Sequence, residues 1–142
     1  MKYALLLMTL LAPLSSLWGQ IPALPVDILN ASEKIVGKAE IYPNYIVLLD
    51  SARQKKGAIG VVKVEGRMRL FVIRSGQARE LAGWAENNRL YNAKGELVGY
   101  YHWTPIWSYV YDKSKTKVGQ AQCLAYQGVC AAGIAGYLLG LL

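Results

Sequence analysis

Short apolar runs separated by polar turns dominate residues 28–122. YIVLL (Tyr45–Leu49), AIGVVKV (58–64), LFVI (70–73), ELVGYYHW (96–103) and WSYVY (107–111) are each bounded by Gly, Asn, Asp, Pro or Ser. These runs are rich in β-branched and aromatic residues and are four to eight residues long, which is the signature of strands. No window carries apolar positions at i, i+3 and i+4 over three turns, so the body of the chain is not helical. The runs echo one another. Gly37, Gly60, Gly83, Gly99 and Gly119 each close one extended stretch and open another, with a turn residue seven positions upstream at Asn30, Arg53, Gly76, Asn92 and Asp112. Asn and Asp bond their own backbone in turns, and glycine inside a strand pattern marks a bulge or a close backbone approach. On this reading the glycines are spaced 23, 23, 16 and 20 residues apart, so the units are hairpins of unequal length.

The expected fold is therefore all-β: antiparallel hairpin repeats over residues 28–122, arranged as a flower-like array, a meander or a small barrel. An open array leaves unpaired edges that must be closed, covered or paired with another chain. Homo-oligomerisation is expected on that ground.

Residues 123–142 break the pattern. CLAYQGVCAAGIAGYLLGLL carries no charge, and Gly128, Ala132, Gly136 and Gly140 recur every fourth position. On a helix they would form one smooth ridge suited to close packing, and twenty helical residues would span about 30 Å, near the thickness of bilayer hydrocarbon. The tail is expected either to lock subunits together or to contact a membrane. The lysines at 113, 115 and 117 precede it, against the positive-inside tendency for an exported protein with a C-terminal span.

The other end predicts export. Lys2 precedes an apolar run at 4–14 that is too short to span a bilayer, followed by a small and polar stretch to Gln20, so residues 1–20 read as a signal peptide. IPALPV then gives a proline-containing extended lead-in at 21–27. The expected location is the periplasm, the outer membrane or the medium of a bacterial cell.

LYNAKGELVGYY (90–101), VYDKSKTKVGQAQ (110–122) and the Gly-Trp-Ala-Glu at 83–86 resemble the four-fold beta flower proteins of exported bacterial sequences. The resemblance implies a β-repeat, a symmetric assembly and no established activity, and it transfers no catalytic residue. The turn KSKT lacks the glycine of the pattern, and the second unit has a longer charged turn.

Charge narrows the partners. The chain has 16 Lys and Arg against 9 Asp and Glu, a net +7 at pH 7, which falls to +6 when Lys2 is removed with the leader. Outside the cytoplasm such a protein meets anionic polymer and lipid headgroups; nucleic acid is not an expected partner, and no nucleic-acid motif is present. Candidate chemistry is sparse. His102 is the single histidine, Cys123 and Cys130 stand seven apart, and together they have no metal-ligand spacing. In an exported chain the cysteine pair favours a disulfide. A continuous helix would hold the two α-carbons about 10 Å apart and oppose one. The acidic residues lie in or near turns and recur at matching repeat positions, as at Glu40 and Glu86, which suits an outward face better than a catalytic pair. Trp84, Tyr101, His102, Trp103 and Trp107 are candidates to line a glycan or peptide groove, with core packing as the competing role. The expected function is a non-enzymatic structural or interaction module, without cofactor or metal. The alternatives are a membrane-associated or pore-forming assembly and a glycan- or peptide-binding protein.

Overall fold

The computed structural model describes residues 25–50, 52–74 and 78–142. The expected leader and most of the lead-in lie outside them. Ten strands run in chain order: β1 (Val26–Asn30), β2 (Ile35–Ile41), β3 (Tyr45–Leu49), β4 (Lys55–Val64), β5 (Arg67–Ile73), β6 (Glu80–Glu86), β7 (Arg89–Asn92), β8 (Leu97–Trp103), β9 (Trp107–Asp112) and β10 (Lys117–Gln122). One helix follows, α1 (Gln127–Leu138). Each strand pairs antiparallel with its sequence neighbour, and β1 pairs with β10, so the sheet is a closed barrel. Closure leaves no unpaired edge, so the ground on which self-association was expected falls away. The extended lead-in also ends sooner than expected, because Val26 and Asp27 already belong to β1.

The turns are nearly copies of one another. Asn30, Asp50, Asn92 and Asp112 each accept two backbone N–H bonds on Oδ1, from the second and fourth residues onward, at 2.9–3.0 Å. The third residue of each turn, Glu33, Arg53, Gly95 and Lys115, is left-handed. Between β5 and β6, residues 75–77, including Gly76, lie outside the described residues. A bulge follows each turn, where the ladder slips past Gly37, Gly57, Gly83, Gly99 or Gly119.

The second unit therefore differs from its sequence reading. Its turn residue is Asp50, not Arg53, and its bulge glycine is Gly57, not Gly60. Gly60 faces the outer side of the sheet, buried between Tyr45 and Phe71, its cross-strand partners. True repeat spacings are 20, 26, 16 and 20 residues. The third position after each bulge glycine holds Glu40, Gly60, Glu86, His102 and Gln122, all on the outward phase of the strands.

Eight strands enclose a space that side chains alone can fill, and diameter grows with strand number. Ten strands need something more, and α1 supplies it. Residues 130–136 of the helix are fully buried against Ile46, Leu48, Ile59, Leu70, Leu90, Val110 and their neighbours. A helix surrounded by apolar wall needs no polar face, which is why CAAGIAG carries no amphipathic stripe. Its residues are small because the wall is close: a β-carbon at Gly133 would sit 2.6 Å from Ile46 Cδ1, and one at Gly136 would sit 3.1 Å from Leu70 Cδ2. The tail expected to lock subunits or meet a membrane is instead buried in its own barrel. The ridge dissolves accordingly. Ala132 and Gly136 pack, Gly128 faces open space, and Gly140 stops the helix. Gly140 is left-handed, its N–H bonds Tyr137 O at 3.2 Å, and Leu141 N–H bonds Gly136 O at 2.8 Å. This is a Schellman ending.

On both sides of that stop the last side chains of the chain reach the bulges. A β-carbon would lie 3.2 Å from the Tyr137 hydroxyl at Gly37, 3.1 Å from Leu142 Cδ1 at Gly57, 2.6 Å from Leu139 Cδ1 at Gly99 and 2.7 Å from Leu138 Cδ1 at Gly119. Each of these four bulge glycines thus makes room for one plug side chain. Gly83 meets the sheet alone, since a β-carbon there would collide with the Tyr91 carbonyl; the other four also approach a cross-strand carbonyl, that of Leu49, Ile73, Tyr111 and Leu29 in turn.

At the opposite end a disulfide joins Cys123, just after β10, to Cys130 in the first helical turn, with α-carbons 5.7 Å apart. Disulfide and helix coexist because α1 begins at Gln127, between the two cysteines. Among the described residues no helix is long and apolar enough to cross a membrane.

Gly83→Ala should cost about 2–3 kcal/mol in urea denaturation through overpacking against backbone, whereas Gly60→Ala should stay within about 1 kcal/mol. Reducing and alkylating the disulfide should lower stability by on the order of 2 kcal/mol, read as a shifted denaturation midpoint.

Candidate functional site: the aromatic and basic outer wall

Because side chains alternate along a strand, bulge glycines that face inward fix what faces outward. On β8 the inward phase is Gly99 and Tyr101, and the outward phase is Tyr100 and His102. On β9, Ser108 and Val110 are buried while Trp107, Tyr109 and Tyr111 are half-exposed. Register then builds rows across the outer wall. Arg69 pairs with Trp84 and Trp84 with Tyr91. Arg89 pairs with Tyr100, Tyr100 with Tyr111, and Tyr111 with Lys117. His102 pairs with Tyr109, and Tyr109 with Gln120.

Cations lie over these rings. The guanidinium carbons of Arg67 and Arg69 are 4.7 and 4.9 Å from the Trp84 ring centroid. Lys115 Nζ is 5.5 Å from Tyr100, Lys117 Nζ is 5.3 Å from Tyr109, and Arg79 Cζ is 4.6 Å from Phe71. A cation over an aromatic face is held by the ring quadrupole without losing its charge, so the wall is both flat and positive. Part of that charge is answered at once, because Arg67 Nε bonds Glu86 Oε2 at 2.9 Å. Lys117 Nζ bonds Gln120 Oε1.

A cleft of about 450 Å³ lies along β8 on this wall, lined by Asn87, Asn88, Arg89, Tyr100, His102, Tyr111 and Lys115, with Tyr101 also bordering it from the inward phase of β8. Asn87 and Asn88 form the left-handed turn between β6 and β7, a conformation asparagine tolerates better than most residues. Asn88 O also accepts the Tyr101 N–H at 3.0 Å, fixing the turn against β8. A second depression, of about 530 Å³, borders Asp27, Leu29, Trp107, Gln122 and Leu124 near the start of the helix. It is separate from the cationic rings.

The five aromatic candidates from sequence do not share one groove. Trp84 and His102 stand on the wall. Tyr101 points into the barrel and is 3% exposed. Trp103 sits on the rim beside the 103–107 turn, and Trp107 borders the second depression. The tyrosines at 100, 109 and 111 fall within the aromatic stretch from Trp84 to Tyr111 that the sequence offers as a groove, and alternation from Gly99 sets Tyr100 outward; Arg89 and Lys115, which only cross-strand register and the β9–β10 turn bring to it, are not legible in the sequence. His102 faces the outer wall, and Cys123 and Cys130 are joined to each other with no free thiol among the described residues, so no cysteine–histidine pair forms. Among the described residues no three His, Cys, Asp or Glu side chains gather closely enough to hold a metal.

Titration is informative at two tyrosines. Burial, the charge of Glu40 and the neighbouring Tyr45 push the Tyr42 hydroxyl up. Burial alone pushes Tyr101 up to about 12. No family model, curated protein or solved structure matches the chain.

Tyr101 raises a stability prediction with a definite sign. The unfolded hydroxyl ionises near the ordinary phenol value of 10.0 while the folded one holds its proton to about 12. The folded state thus binds more protons in that window, and stability present below about pH 10 falls as pH rises toward 12. The loss should reach about 2–3 kcal/mol. Urea titrations across this range should show that part of the decline removed in Tyr101→Phe.

Proposed function

We propose that the chain is an exported, non-enzymatic barrel of a bacterial envelope that works as an interaction module, presenting its aromatic and basic wall to an anionic envelope polymer. One observation carries this reading. Five cations on the wall lie over four aromatic rings, on the continuous outer surface from β5 to β10 and its turns. A wall of this kind offers flat contact area with little side-chain entropy to lose and charge that draws an anionic partner from a distance. The barrel interior is occupied by α1, so contact with large partners falls to the outside. The resemblance to the four-fold beta flower proteins, with no activity attached to them, supports a binding rather than a catalytic role. Self-association belongs to the same proposal, with the outer wall and not a strand edge as the contact.

A second reading, contact with lipid, has its own support at one barrel end. Trp103, Ile106, Leu124 and Tyr126 are between 38% and 65% exposed there, on two loops tied by Cys123 N–H to Ile106 O at 3.1 Å and by Gln127 Nε2 to Pro105 O at 2.9 Å. Tryptophan and tyrosine beside aliphatic tips suit the headgroup boundary.

The mature protein should be retained on an immobilised acidic polysaccharide and pass a neutral dextran column. Retention should weaken several-fold as ionic strength rises from about 0.05 to about 0.5 M, because the Debye length shrinks. Arg69→Gln with Lys117→Gln should weaken it at constant fold. Equal passage through both columns at low salt would defeat the reading. Sedimentation with anionic vesicles that Leu124→Ser abolishes would favour the lipid contact.

A further inference from the structure

We infer that the cleft along β8 is a binding site for an acidic sugar residue, a pyranose bearing a carboxylate, within a longer polysaccharide. This rests on the reading of the outer wall as a surface for anionic polymer, and it names the site and the chemistry recognised.

Four features of the cleft converge on that ligand. Its size, about 450 Å³, lies within the roughly 300–1,000 Å³ of small-ligand pockets. Its floor holds two tyrosines side by side, Tyr100 and Tyr111, directly paired across β8 and β9. Adjacent phenol rings give an amphipathic surface against which the C–H face of a pyranose can pack, with Lys115, which lies over Tyr100, moving from that ring toward the sugar's carboxylate. At one end Asn87 and Asn88 supply side-chain amides, each both donor and acceptor, suited to vicinal sugar hydroxyls. Both residues are exposed, and neither side-chain amide bonds another described residue.

The charges then set the preference for an acid. Arg89 is exposed, lines the cleft, and makes no ion pair among the described residues. Its planar fork can take both oxygens of a carboxylate. Lys115 reaches the same cleft from the 112–116 turn, with Nζ 5.5 Å from the Tyr100 centroid. No Asp or Glu lines the cleft. A neutral sugar would leave both cations unanswered, and a compact inorganic anion would leave the tyrosine platform unused. The site is open along the strand, so flanking units of a chain can leave at either end.

The test is calorimetric titration of the full mature protein with a galacturonic acid hexamer, a neutral galactose hexamer and a linear polyphosphate of matched charge. The acidic hexamer should bind at least about tenfold more tightly than the neutral one and than polyphosphate. Tyr100→Ala should weaken it about tenfold, and Arg89→Gln and Lys115→Gln should each weaken it about five- to tenfold. Lys63→Gln, on β4 three strands from β7, should change nothing. The Lys115 and Arg89 variants alter exposed side chains, so they test the site even where Tyr100→Ala disturbs the sheet. Equal binding of polyphosphate would overturn the sugar assignment. Tight binding of the acidic hexamer untouched by Arg89→Gln and Lys115→Gln, yet lost in Arg69→Gln with Lys117→Gln, would overturn the cleft and leave the wall standing. Absence of binding to every anionic probe would overturn both.

Discussion

Filling a ten-stranded lumen is the constraint on which this structure depends. A sheet that closes on itself has no edges to defend, but at ten strands it encloses more space than one layer of side chains from the wall can occupy. An empty centre would forfeit the dispersion contacts and apolar burial that hold a barrel together. The chain meets the demand with a second structural type, a helix narrow enough to enter because its buried stretch is made of Cys, Ala, Gly and Ile. Wall and plug are mutually selected. Ile46 approaches so closely that a β-carbon at 133 would force it to shift, and Leu70 and Ile59 would have to give by a few tenths of an ångström at 136.

The repeat glycines belong to that same accommodation. Their bulges bend the strands at one end of the barrel, and four of them leave vacancies that Tyr137, Leu138, Leu139 and Leu142 occupy. The Asx turns next to them hold the bulges in register by satisfying the backbone through a single carboxylate or amide oxygen. Local turn chemistry and long-range packing thus agree unit by unit, as expected of a sequence with one well-separated fold. The outer wall is released from packing duty and can carry its rings and cations for other use.

Much of this was legible in the chain, and the limits have physical reasons. Strand type and turn positions followed from composition and punctuation, because Asn30, Asn92 and Asp112 spell the same turn. The second unit departs from its sequence reading because Gly57 follows Lys56 and lacks the apolar residue that stands directly before the other bulge glycines (Val36, Ala82, Val98 and Val118), while AIG at 58–60 imitates that spelling. The invariant was the seven-residue distance from an Asx oxygen, not the residues just before the glycine. The tail's apolar character was evident, but an uncharged helix reads alike in lipid, between subunits or inside a barrel, since each surrounds it with hydrocarbon. The wall was half visible. Its aromatics were noted, yet Tyr101 and Trp103 were grouped with His102 because alternation had no anchor until Gly99 was known to face inward.

The placement of α1 after all ten strands bears on how the molecule assembles. The filler of the interior emerges behind the staves it must occupy, so the ribbon cannot seal early without shutting out its own centre. Contacts from α1 to β3, β4 and β5 join segments distant along the chain, and such connections are slow to find. Sealing the β1–β10 seam and seating α1 are thus linked, and these non-local contacts should make folding slower than in a barrel filled by its own wall.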